Sequence, residues 1–277
     1  MRCVFWNVGR REEIDSAIVQ LVEASGADLL VLAEYTADGS SLIRALNDRG
    51  VRFNRHIRVG CDTISIFADF PSERLKVKAE TSRYTLRELA LPNSVPVLFA
   101  FVHLQSKLHA DETTQAFIAD KLRRTIEEVE ESTRNRFTIV LGDFNMNPFD
   151  KGMITASALH AVSSSRFASK GSRTVLGSER RFFYNPCWSL LGDREEPPGT
   201  YFYSSSQEYA LFWHTFDQVI LRPSLLSRFN RSSLRVHTAA GETDLLSSSG
   251  RPKISDHLPI SFEIDLLLGE THGKFVA

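Results

Sequence analysis

The 277-residue chain is poor in cysteine and lysine, carries no excess of either charge and has no long apolar run, and each shortage excludes a class of protein. Its three cysteines, Cys3, Cys61 and Cys187, are odd in number and unpaired in spacing, so neither a disulfide framework nor a zinc ribbon is indicated. A reducing, cytoplasmic setting is expected. Nowhere do about 18 apolar residues follow one another, and the opening Met1-Arg2-Cys3-Val4-Phe5-Trp6 already reads as a strand, which argues against a membrane span and an export signal. Lys and Arg together number 33 against 34 Asp and Glu, which removes the diffuse attraction expected of a nucleic-acid packaging protein. A polyanion must therefore be met locally. Most of the cations are Arg, whose planar fork suits phosphate better than a bare ammonium does. Internal repeats and a linker between two cores are also missing, so residues 1–268 are expected to form a single domain followed by a C-terminal tail, 269–277.

What is present alternates between buried strands and amphipathic helices. Cys3 to Val8 and Leu29 to Ala33 are apolar on both faces, and between them Ile14, Ile18, Leu21 and Val22 recur at helical spacing up to Gly26, a C-terminal stop. Strands without a polar face imply a sheet covered on each side. From Ile57 to His103 the pattern changes to short strands, including Thr63 to Phe67 and Val97 to Val102, as in antiparallel hairpins or a meander. Asp111 to Arg134 carries Ile118, Leu122, Ile126 and Val129 on one helical stripe, with the acidic run at Glu127, Glu128, Glu130 and Glu131 read as a solvated face. Phe137 to Leu141, Gln218 to Leu221 and Leu258 to Ile264 read as further strands, and Asn147-Pro148 as the cap and first position of a short helix. Loops dominate from Val162 to Tyr209.

Six apolar runs each end in a polar residue of catalytic type. Asn7 lies at the end of the first strand, Glu34 closes Leu29 to Ala33, and His103 closes Val97 to Val102. Asp143 and Asn145 follow Ile139 to Gly142, Asp217 opens Gln218 to Leu221, and Asp256-His257 opens Leu258 to Phe262. Each residue alone has an ordinary structural role open to it: an Asx turn for Asn7, Asp143 or Asn145, a solvated strand end for Glu34, Asp217 or Asp256, a partly buried imidazole for His103 or His257. Strand ends in a layered α/β protein gather along one rim, however, and there these groups could share one cleft.

Taken together, Phe5-Trp6-Asn7-Val8, Leu30 to Glu34, Val102-His103-Leu104-Gln105-Ser106-Lys107, Leu141-Gly142-Asp143-Phe144-Asn145, Phe216 to Ile220 and Ser255-Asp256-His257-Leu258-Pro259 resemble the endonuclease/exonuclease/phosphatase superfamily, which includes deoxyribonuclease I and the abasic-site endonucleases. Phe183 to Trp188 and Gly199-Thr200-Tyr201 look like uncharacterised bacterial members. The resemblance implies an α/β fold of two packed mixed β-sheets flanked by helices, a four-layer α/β sandwich, and metal-dependent hydrolysis of a phosphate ester. It implies that Glu34 binds a divalent ion, Mg²⁺ or alternatively Mn²⁺, with Asp256 and Asn7 in or near its ligand set; hard oxygens and retained waters are what Mg²⁺ prefers. It further implies that His257 takes the proton of the attacking water while Asp217 holds its tautomer. Asp143 would orient that water or assist the leaving oxygen, and Asn145 and His103 would donate to phosphoryl oxygens, with Asn7 also near the phosphate. In one respect the chain departs from the abasic-site enzymes: they carry an Asp two residues after the first Asn, and here that position is Gly9.

A nuclease acting on DNA or RNA phosphodiesters is the leading expectation. A phosphatase or phosphodiesterase acting on a small-molecule, phosphoinositide or sphingolipid phosphate ester is its rival, and a binding protein with a dead site is a third class, opposed by the intact polar set. Two basic stretches favour nucleic acid. Residues 44–58 hold Arg44, Arg49, Arg52, Arg55 and Arg58 against Asp48, and residues 166–181 hold Arg166, Lys170, Arg173, Arg180 and Arg181 against Glu179. Phe182, Phe183, Tyr184, Trp188, Tyr201, Phe202, Tyr203 and Trp213 are candidates for stacking bases, or for core and loop anchoring.

Overall fold

A computed structural model describes residues 1–268 apart from 58–59, 108–109, 194–195, 205, 207 and 209, so Arg58 and the expected tail, 269–277, lie outside the described residues. The first half of the chain runs β1 (Arg2–Asn7), α1 (Asp15–Ser25), β2 (Leu29–Ala33), α2 (Ser40–Asp48), β3 (Asn54–His56), β4 (Ile64–Ala68), β5 (Leu75–Glu80), β6 (Tyr84–Leu89), β7 (Val97–His103), α3 (Glu112–Thr133) and β8 (Thr138–Asp143). The second half adds α4 (Lys151–Ile154), β9 (Ala161–Val162), α5 (Ser165–Ala168), β10 (Ser172–Val175), β11 (Ser178–Arg181), β12 (Phe183–Tyr184), β13 (Tyr201–Phe202) and β14 (Trp213–His214). It ends with β15 (Asp217–Leu221), β16 (Phe229–Val236), β17 (Ala239–Ala240), β18 (Thr243–Asp244) and β19 (Ile260–Ile264).

One sheet has the order β16-β19-β1-β2-β4-β3 and the other β5-β6-β7-β8-β15-β12-β9. Both are mixed: β1–β2, β7–β8 and β9–β12 pair in parallel, the remaining neighbours antiparallel. The two-residue period of a strand explains the layering. Cys3, Phe5, Leu29 and Val31 point between the sheets and meet Phe99, Phe101, Ile139 and Leu141 of the opposite sheet. Their neighbours Val4, Trp6, Leu30 and Leu32 point the other way, under Ile14, Ile18, Leu21 and Val22 of α1 and Leu42 and Leu46 of α2. Leu98, Ala100, Val102 and Val140 likewise lie under Leu122 and Ile126 of α3. The result is the expected order of helix, sheet, sheet, helix, with the largest apolar cluster between the sheets.

Three local expectations change. The run from Ile57 to His103 is not one meander: β5, β6 and β7 form it, while β4 pairs with β2 and β3 in the other sheet. The short helix begins at Lys151 with Asp150 as its cap, because the Asn147 side chain is drawn off to His214 Nδ1 and the Thr215 N–H instead. Glu130 is not part of a solvated face. It is buried and accepts hydrogen bonds from Arg222 at 2.7 Å and Thr138 at 2.7 Å.

Three histidines have no catalytic place in this architecture but bear on its pH range. Burial, reinforced by a neighbouring arginine, pushes His56, His160 and His237 from 6.5 down to about 4. Between those values the unfolded chain takes up protons that the folded chain refuses, so stability is present above pH 6.5 and drains as the pH falls toward 4. The melting temperature should fall by several degrees between pH 7.5 and pH 5; a flat profile over that interval would show that these imidazoles are not held neutral.

Candidate active site

Strand pairing gathers the polar strand ends. On parallel β7 and β8, His103 lies opposite Asp143, and on antiparallel β8 and β15, Asp143 lies opposite Asp217. In the facing sheet Asn7 ends β1 opposite Ala33, after which Glu34 turns out of β2. His257 is brought to the same rim by the segment that leads into β19. Trp6 Nε1 donates to its carbonyl at 2.9 Å, and Ser255 Oγ accepts its N–H at 3.3 Å while donating to the Asn7 carbonyl at 2.8 Å.

Asp143 sits at the centre. Its Oδ2 accepts from Asn7 Nδ2 at 2.9 Å and Asn145 Nδ2 at 3.1 Å, and its Oδ1 accepts the Asn145 N–H at 2.7 Å. His103 Nε2 and His257 Nε2 approach the same Oδ2 at 3.8 and 3.9 Å. Behind His257, Nδ1 meets Asp217 Oδ2 at 2.8 Å, and Asp217 is wholly buried. Burial pushes the His257 imidazole down, but the charge and hydrogen bond of Asp217, with Asp143 and Asp256 nearby, more than offset this and raise it to about 9. Nδ1 is thus committed to Asp217 and Nε2 is turned toward the cleft. The Tyr201 ring lies 4.6 Å from the imidazole and 5.2 Å from Phe216, closing that side.

Glu34 and Asp256 stand apart from this cluster. Among the described residues, the tight group of potential ligands is Asp143, Asp217 and His257, all within 4.8 Å, and two of these are already committed to each other. Glu34, in the left-handed region at φ 56°, faces His103 Nε2 at 3.4 Å and Arg10 Nε at 3.3 Å. Asp256 is exposed beside Gly9, where an added Cβ would come within 2.9 Å of Asp256 Oδ1 at a φ of +58°. A side chain at position 9 would be strained at this φ, and its Cβ would push the exposed end of Asp256 aside. Asn145 lies beside Asp143. Its two amide hydrogens go to Asp143 and the Leu104 carbonyl, so Asn145 braces Asp143.

Gly142 lets the central strands close. Its φ is +153°, and a Cβ there would sit 1.9 Å from the Val102 carbonyl oxygen on β7. Gly142→Ala should force β7 and β8 apart just where His103 faces Asp143, lowering the melting temperature by more than about 5 °C. A variant with unchanged melting and unchanged activity would refute the close approach.

The Arg-rich stretch 166–181 does not line this rim. Tyr184 pairs with Leu221, at the other end of β15 from Asp217, and the β10–β11 hairpin precedes it, beyond that far end. In the stretch 44–58, Arg55 lies opposite Phe67 near the far end of β4, and Arg49 pairs with Glu23. Phe182, Phe183 and Tyr184 are buried core residues, whereas Tyr201 does flank the site. Residues not anticipated here are Arg10, Ser255, Thr200, whose Oγ1 accepts the Asp217 N–H at 3.1 Å, and His214, stacked on Phe216 at 4.7 Å. Of these, Ser255 and Thr200 lay in segments the sequence had singled out.

Comparison with known proteins agrees with this architecture. The model of the Endonuclease/Exonuclease/phosphatase family matches residues 4–257. A search of curated proteins gave no match. Among solved structures, the human Nocturnin catalytic domain with bound sulfate anion is 16% identical, covering 96% of this chain and 94% of that one, with a TM-score of 0.58. TDP2 from D. rerio complexed with single strand DNA product is 16% identical, with 95% and 97% covered and a TM-score of 0.55. An AP endonuclease from Archaeoglobus fulgidus is 12% identical, with 96% and 100% covered and a TM-score of 0.55.

Proposed function

The chain belongs to the endonuclease/exonuclease/phosphatase family and is a phosphoric-ester hydrolase, and from that premise we propose that it is a nuclease that cleaves DNA or RNA phosphodiester bonds with a divalent metal ion. The observation that carries the reading is Asp143, which two asparagines and two histidines surround in one cleft while a buried Asp217 backs one of those histidines. In this reading the neutral form of His257, which gains population as the pH rises toward 9, takes the proton of the attacking water at Nε2, and Asp217 accepts the Nδ1–H and so fixes the tautomer. Asp143 orients the water. His103 donates toward the phosphoryl oxygens from the opposite wall of the cleft. Nucleic acid is favoured over other esters by the relatives named above, an AP endonuclease and an enzyme seen with a DNA product.

The donors fit a hard cation. Glu34 and Asp256 offer carboxylate oxygens at the mouth of the cleft and Asn7 an amide oxygen, and the guanidinium of Arg10 against Glu34 marks that carboxylate as one that a cation reaches from the open side. One or two carboxylates with retained waters suffice for Mg²⁺, and Mn²⁺ is the alternative. A bound ion supplies polarisation of the phosphoryl oxygen and neutralises developing charge. The single-domain assignment of residues 1–268 is part of the same proposal, since residues from β1 to β19 contribute to one cleft.

The test is purified protein and its His257→Ala variant, with Mg²⁺ or Mn²⁺, on single- and double-stranded DNA, RNA, phosphomonoesters and lipid phosphates. Metal-dependent cleavage of a polynucleotide that the variant lacks is the expected result. Turnover of a phosphomonoester or a lipid with no nucleic acid cleaved would replace the nuclease with the phosphatase alternative.

A further inference from the structure

Three segments distant in sequence close the end of the sandwich opposite the catalytic rim. Ser224 Oγ donates to the Arg136 carbonyl at 2.6 Å, Arg222 Nη1 donates to the Phe182 carbonyl at 3.1 Å, and the Phe182 N–H donates to the Gly171 carbonyl at 2.9 Å. The Arg222 N–H bonds the carbonyl of Thr138, the residue that begins β8 at the end away from Asp143. A groove runs here between residues 169–171 and 223–227.

The edge of this end built by residues 166–181 is basic, while Asp28, Glu263 and Asp265 stand beside Arg228 farther round. Residues 166–181 hold five cations against Glu179, residues 222–231 hold three arginines and no carboxylate, and residues 134–136 hold two arginines and no carboxylate. Buried Glu130 satisfies Arg222 and approaches Arg181, Glu127 lies 3.8 Å from Arg222, and Glu179 accepts from Ser172 Oγ at 2.6 Å. That leaves Arg136, Arg166, Lys170, Arg173 and Arg180 with no ion pair to a described carboxylate, Arg228 being turned to the Asp265 and Leu267 carbonyls. A fold gains nothing from massing like charges on one face, since they repel one another. Apolar groups stand among them: Leu176 at the tip of the β10–β11 hairpin is fully exposed, and Phe167 is exposed with Lys170 over its ring at 5.0 Å. Cations that can track a backbone beside an exposed aromatic ring, here Phe167, are the combination that single-stranded nucleic acid selects.

We propose that this face is a second, non-catalytic docking surface for the phosphate backbone of single-stranded nucleic acid, so that one strand can be held here while another part of it occupies the cleft. The choice of polyanion rests on the nuclease reading. The two ends are separated by the length of β8 and its connections, and a 20-nucleotide strand at about 3.4 Å per nucleotide, ~68 Å extended, reaches from one to the other.

The experiment measures fluorescence anisotropy of a labelled 20-nucleotide single-stranded DNA, in chelator so that nothing is cut, with the full chain and with the triple variant Arg136→Ser, Arg166→Ser, Arg180→Ser. At about 0.7 released counterions per contact, the slope of log Kd against log salt should fall by about 2, and Kd should rise at least about tenfold. The corresponding triple Lys variant should restore most of the affinity, and hydrolysis of bis(p-nitrophenyl) phosphate with metal restored should stay the same in all three proteins. Unchanged affinity and slope would overturn the proposal, as would loss of binding to polyglutamate with the oligonucleotide unaffected, which would assign the face to an acidic protein. If the oligonucleotide binds as described but no polynucleotide is ever cleaved, the nuclease reading falls and the docking surface stands. Cleavage with no effect of the variant on binding sinks the docking surface alone.

Discussion

Replacing Asp217 by Asn should lower kcat by about three orders of magnitude, and adding His257→Ala to that variant should cost little more. Asp217 is wholly buried and its Oδ2 lies 2.8 Å from His257 Nδ1. Asparagine keeps the volume but can offer an N–H where a carboxylate oxygen stood, which favours the imidazole tautomer with its proton on Nε2 and leaves no acceptor facing the reacting oxygen. Because the two side chains act on one proton, either loss disables the same step, and the double loss finds little left to remove. Single-turnover rates on one oligonucleotide, with circular dichroism to show each variant folded, measure this directly. Losses that multiply would mean that Asp217 and His257 work separately.

Excess chelator should abolish turnover, and Glu34→Gln should weaken Mg²⁺ or Mn²⁺ binding at least about tenfold and cut the rate by about a hundredfold. The Glu34 N–H is bound to the Thr63 carbonyl at 2.9 Å, and its backbone is held in the left-handed region, so the side chain is aimed by the fold and not by its partners. Glutamine should therefore occupy the same place without the charge. Arg10 gives the same site a test of opposite sign. Its guanidinium competes for Glu34 Oε2, so Arg10→Gln should tighten metal binding in calorimetry without substrate. Full hydrolysis in chelator would refute the metal requirement, and weaker binding in Arg10→Gln would refute the competition.

Much of this was legible in the residues, for identifiable reasons. β1 and β2 announce themselves because both faces are apolar, and α3 because Leu122, Ile126 and Val129 keep a helical period. The rim could be read because each catalytic-type residue ends an apolar run, and in-register pairing then sets His103, Asp143 and Asp217 side by side. What could not be read depends on pairings distant in sequence. Glu130 looked solvated because its partner, Arg222, is 92 residues away. The basic stretch 166–181 looked like a substrate contact because only the pairing of β12 with β15 fixes which end of the sheet it occupies.

The two ends of the chain meet in one sheet. β1 pairs with β19, Arg2 opposite Glu263, and His257 enters just ahead of that last strand. During synthesis β1 must wait, one of its edges unpaired, until residues 260–264 have been made, and contacts of such sequence separation are slow to close. A chain cut short before residue 257 lacks the imidazole altogether and keeps β1 as an open, apolar edge, a template for aggregation. Under the proposed role of His257, a copy released in that interval would be inert toward phosphate esters yet hazardous to its neighbours, so the burden of safe folding falls between the synthesis of β1 and that of β19.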